Sequence, residues 1–69
     1  MVITMYENFI NKAEFMWFHA NKVPLSDLSR KHFCEEAIGF YENALKHKQS
    51  GRITKKLVRK NIEELKAKI

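Results

Sequence analysis

Three histidines, one cysteine and two adjacent pairs of glutamates are the residues of this 69-residue chain whose chemistry could go beyond packing. His19, His32 and His47 are scattered, and no two of them have the i, i+4 spacing that puts two zinc ligands on one helical face. His32 and Glu36 do have that spacing, but two ligands do not complete a four-coordinate site. Cys34 falls within an apolar stripe, where a thiol serves as a small hydrophobe and not as a nucleophile. In Glu35-Glu36 and Glu63-Glu64 the side chains diverge by about 100° on a helix, so neither pair can face a substrate from two sides. Glycine-rich phosphate loops, Ser/His/Asp sets and CxxC motifs are missing from the sequence. Catalysis, a metal, a cofactor and a small-molecule substrate are therefore not expected.

Charge is the stronger signal. Residues 1–45 carry four Lys/Arg against six Asp/Glu, whereas residues 46–69 carry nine Lys/Arg against Glu63 and Glu64 alone. The excess of +5 thus belongs to the last third of the chain, and between Lys46 and Lys60 the series Lys46, Lys48, Arg52, Lys55, Lys56, Arg59, Lys60 contains no acid. Such an asymmetry points to a polyanionic partner. Lys55, Lys56 and Arg59 fall in the first turns of an expected helix. The helix dipole is positive there, and each cation costs about 0.3–1 kcal/mol. Like-charged neighbours at i, i+4, Lys55/Arg59 and Lys56/Lys60, add to that cost. A bound phosphate reverses the sign of each of these contributions. Projected at 100° per residue, the cations spread outward from the apolar stripe, with Glu63 in their midst.

Phe15-Met16-Trp17-Phe18 is apolar around a full helical turn, and one buried stripe cannot hold all four side chains. Met16 belongs to the stripe, with Trp17 on its flank, while Phe15 and Phe18 project among Asn8, Asn11, Glu14 and Lys22. Phe15, Trp17 and Phe18 are accordingly the candidate protein interface, serving either a homodimer or a partner protein.

The elements that must position these residues are set by two punctuated stretches, Val23-Pro24-Leu25-Ser26-Asp27 and Gln49-Ser50-Gly51-Arg52. They divide the chain into three amphipathic helices, expected over about 4–22, 29–48 and 54–68. Thr4-x-x-Glu7 opens the first as a capping box, and Pro24 ends its pattern. Ser29 is the expected cap of the second, with Leu28 and Phe33 as a hydrophobic staple and Ser26 as a competing cap one turn earlier. Thr54 caps the third, stapled by Ile53 and Val58. No alternating apolar and polar run suggests a strand. Glu36–Leu45 resembles the second helix of a tetratricopeptide repeat or of a microtubule-interacting-and-trafficking domain. The likeness spans about ten residues, no second repeat follows, and it implies a packed helix without carrying a function over. The fold class is therefore all-α, a small antiparallel three-helix bundle in a single domain.

A domain this short buries only about 60% of its unfolded surface, so most of its apolar residues are committed to the core. A single cysteine closes no intrachain disulfide and suits a reducing compartment. The opening Met-Val-Ile-Thr-Met-Tyr-Glu lacks the basic region of a signal peptide, and no apolar run reaches the roughly 18 residues of a membrane span. A soluble cytoplasmic protein is expected. Its leading expected role is non-catalytic and regulatory, with the basic third engaging nucleic acid at weak sequence specificity, since few amide side chains line the third helix to read bases. The alternative is an inhibitor or adaptor that docks through the first-helix aromatics onto an acidic partner protein.

Overall fold

The computed structural model describes residues 3–22 and 27–69. Three helices follow one another, α1 (Met5–Lys22), α2 (Asp27–Ala44) and α3 (Lys55–Ala67), and no strand occurs among the described residues. α1 packs along α2, and α3 packs against α2. Contacts at both ends orient the third helix. Tyr6, near the start of α1, reaches Ile53 just ahead of α3, and Asn21, near the end of α1, meets Lys68 just after it. α1 and α3 therefore run in the same direction with α2 antiparallel to both, the up-down-up bundle that the periodicity implies.

The core is built from small residues where backbones approach and rings where they diverge. Ala13, Ala20, Ala37 and Ala44 are buried with Ile10, Cys34, Ile38, Val58, Ile62 and Leu65, and Tyr6 and Tyr41 are only 1% exposed. Each tyrosine turns its polar tip toward a partner. The Tyr6 hydroxyl donates to the Ile53 carbonyl at 2.6 Å, while the Tyr41 hydroxyl pairs with Asn61 and its ring meets Trp17 edge-on at 6.3 Å. No buried side-chain nitrogen or oxygen among the described residues lacks a hydrogen bond.

Burial pushes the Tyr41 phenol up to about 12, aided by the Glu14 carboxylate and opposed by the hydrogen bond with Asn61. Burial also raises Tyr6. A raised folded-state value means that the stabilisation is complete below the ordinary phenol value of 10.0 and is lost as pH rises toward 12. Unfolding in urea at pH 8 and pH 11.5 is expected to differ by about 2 kcal/mol, because each tenfold change in proton affinity is worth about 1.4 kcal/mol. Tyr41→Phe should flatten most of that slope.

The helix ends differ from expectation only around α2. Thr4 caps α1, its hydroxyl accepting from the Glu7 amide at 3.2 Å. The Glu7 carboxylate, however, turns to hydroxyls instead of the Thr4 amide. It lies 3.1 Å from Thr4 Oγ1 and 3.2 Å from Ser50 Oγ, with 2.5 Å between the two hydroxyls. Thr54 caps α3 through the Leu57 amide.

α2 begins at Asp27, which puts Ser29 inside its first turn and not at its cap. Leu28 is 79% exposed and staples nothing, because Phe33 is stacked toward His19 of α1. The competing cap, Ser26, and the rest of Val23–Ser26 lie outside the described residues.

At its other end α2 stops at Ala44, four residues before the expected 48. The chain tightens there into i, i−3 hydrogen bonds from Lys46 to Asn43 and from His47 to Ala44. This bend stacks His47 on Phe9 at 5.6 Å. Gly51 is consequently a turn residue within the long connection, seven positions beyond the end of α2. Its φ of +78° favours glycine, and a Cβ there would stand 3.1 Å from the Glu7 carboxylate.

Gly39, by contrast, is a helical glycine with open space where its Cβ would be. Gly39→Ala is expected to stabilise the domain by about 1 kcal/mol. That corresponds to a melting temperature about 4–8 °C higher, measured by circular dichroism.

Candidate polyanion interface

Each of the seven cations between Lys46 and Lys60 belongs to the connection after α2 or to the first half of α3. Lys46, Lys48, Arg52, Lys56, Arg59 and Lys60 are exposed and Lys55 is half-buried. None of the seven lies within 4 Å of a carboxylate among the described residues, where the one basic side chain that close to a carboxylate is His32, 3.8 Å from Glu36 on α2. The charge asymmetry of the sequence is thus a property of the folded surface, not neutralised by ion pairs among the described side chains.

Lys55 has a job of its own. Its ammonium donates to the Leu45 carbonyl at 3.1 Å, placing a cation where the C-terminus of α2 presents its negative dipole end. A charge that is unfavourable at the start of α3 becomes favourable at the end of α2, so Lys55 is not presented outward with the others. The α3 amides are also partly committed. The Lys55 amide donates to Gln49 Oε1 at 2.9 Å and the Leu57 amide to Thr54 Oγ1 at 3.2 Å. An anion at this end would be held mainly by side chains, with little help from bare backbone donors.

The remaining cations divide by location. Lys56, Arg59 and Lys60 project from α3 opposite Val58, Ile62 and Leu65, which are buried against α2. Lys48 lines a shallow depression with Thr4, Met5 and His47 beside the start of α1. Arg52 faces α1, sharing a groove with Glu7, Asn11 and Glu14. The connection carrying them is pinned at Gln49 by Lys55, at Ser50 by Glu7 and at Ile53 by Tyr6.

The aromatic candidates also separate. Trp17 is half-buried, edge-on to Tyr41 with the Lys68 ammonium 5.5 Å from its ring, so it closes the α1/α3 side of the bundle. Phe15 and Phe18 are each 58% exposed. His19 lies between them, 4.1 Å from the Phe15 ring and 5.9 Å from that of Phe18, and its Nδ1–H donates to the Phe15 carbonyl.

Sequence reasoning assigned no role to Lys12, whose ammonium stands 5.9 Å from the ring centres of both Phe9 and Phe40. Only the fold brings Phe40 to it. No set of three His, Cys, Asp or Glu among the described residues could hold a metal ion, and no helix there is long and apolar enough to cross a membrane. Compared with family models, curated proteins and solved structures, the chain matches none.

Proposed function

We propose that this chain is a non-catalytic binding protein of the cytoplasm whose basic connection and third helix engage the phosphates of nucleic acid, with little base specificity. The observation that supports this reading most is the set of exposed cations Lys46, Lys48, Arg52, Lys56, Arg59 and Lys60, without a carboxylate partner among the described residues. Lys55 apart, folding gains little from clustering them, because like charges at i, i+4 repel and the start of α3 disfavours them. Phosphates relieve both costs. Lys56, Arg59 and Lys60 supply the contacts from the helix, with Lys46, Lys48 and Arg52 extending them along the connection. Lys55 serves chiefly to hold α3 against the end of α2.

Fluorescence anisotropy of labelled oligonucleotides about 20 nucleotides long, duplex and single-stranded, tests the reading at about 50–200 mM salt. Log affinity should fall linearly with log salt at about −0.9 per phosphate contacted on duplex DNA and about −0.7 on a single strand. No binding at the lowest salt, or binding indifferent to salt, overturns it. The exposure of Phe15 and Phe18 favours a second reading, an adaptor or inhibitor seated on an acidic partner protein. Loss of partner capture in Phe15→Ser/Phe18→Ser, with oligonucleotide binding absent, would select it.

A further inference from the structure

We infer that the face of the α1/α2 hairpin turned away from α3 is a self-association surface, covered by the same face of a second copy of this chain. On α1, the residues whose side chains reach toward α3, Tyr6, Trp17 and Asn21, project about 100° around the helix from Phe9, Lys12 and Met16. The second set looks out on the opposite side with Phe33 and Phe40 of α2. Phe9, Met16, Phe33 and Phe40 are only half-buried at the edge of the core, where His47 stacks on Phe9 and His19 on Phe33 without enclosing the four side chains. Between the helices Asn11, Lys12, Phe15, Met16 and Phe40 line a groove of about 380 Å³.

Size and charge both point to a second copy. Two helices of 18 residues, at about 1.5 Å per residue and about 10 Å wide, present a face of about 27 by 20 Å. That is the scale of the roughly 800 Å² each partner buries in a stable complex. Among the described side chains its permanent charges are Lys12 and Glu36, one of each sign, with histidine counted as neutral. In a chain of net charge +5, this is a face on which two copies meet without apposing like charges. Lys12 has no carboxylate within 4 Å among the described residues, and Glu36 has only the exposed His32. The two are thus available to pair across a two-fold interface, and self-association leaves the basic segment of each copy outside.

Sedimentation equilibrium tests this directly. Over roughly 10–300 µM, a range that captures the weaker interface classes, the apparent mass should rise from 8.2 kDa toward twice that value. Lys12→Glu and Phe15→Glu, both at exposed side chains, should each weaken association at least tenfold while circular dichroism reports unchanged helicity. Lys66→Glu, an equal change of charge on α3, should leave it unaltered. A monomer at every concentration overturns the inference. So does a dimer that is indifferent to Lys12→Glu and Phe15→Glu.

Discussion

Lys56→Glu/Arg59→Glu is expected to lower affinity for a duplex of about 20 base pairs by about 100-fold at about 0.1 M salt, and to flatten the log–log salt slope by about 1.8. The figure follows from counterion release. At that salt a phosphate contact with a slope of −0.9 is worth about 0.9 log units, so two lost contacts account for about 60-fold and the introduced repulsion for the rest. Both side chains are exposed on α3 and without a carboxylate partner among the described residues, so the substitution removes no internal ion pair there. Acidic residues at the start of a helix also agree with its dipole, and thermal stability should rise slightly. Loss of binding with gain of stability is the signature that separates a ligand-facing cation from a structural one. Lys55→Glu should do the reverse, lowering stability by removing the ammonium from the Leu45 carbonyl.

Leu65→Ala should have the largest effect on stability, about 3 kcal/mol, within the range of about 2–5 for deleting a fully buried leucine. α3 has 13 residues, too few to persist alone in water, and its hold on the domain rests on Val58, Ile62 and Leu65 buried against α2. Among the described residues, polar contacts tie the chain to α1 just beyond each end of α3, at Tyr6–Ile53 and at Lys68 with Asn21 and Trp17. At about 4–8 °C per kcal/mol for a domain of this size, the melting temperature should drop by about 12–24 °C. Urea denaturation with unchanged m would attribute the loss to packing.

The three helices were legible because each is written in local terms. Thr4 and Thr54 cap their own helices through side-chain contacts three residues away, and the stripe of α3 needs nothing beyond its own period. Where reading failed, the deciding contact was distant. α2 ends at Ala44 as the chain bends to stack His47 on Phe9, 38 positions earlier, and as Lys55 takes the Leu45 carbonyl. Trp17 sits on the flank of a helical projection, and only the arrival of Lys68 and Tyr41 decides that it is covered.

The basic cluster was visible as composition, but its division was not. One lysine closing a helix junction and others facing solvent are the same letter in sequence. Met16 read correctly as an apolar stripe residue, yet periodicity counts the faces to be covered without saying whether this chain covers them.

The stretch from Leu45 to Thr54 lacks helical structure yet is held at Gln49, Ser50 and Ile53, with Gly51 turned into its left-handed conformation beside Glu7. Much of its configurational freedom is therefore surrendered on folding. A ligand landing on Lys48 or Arg52 meets a preorganised ribbon and owes little ordering entropy. Its association should consequently show a small heat-capacity change, unlike that of a basic tail that folds only on contact.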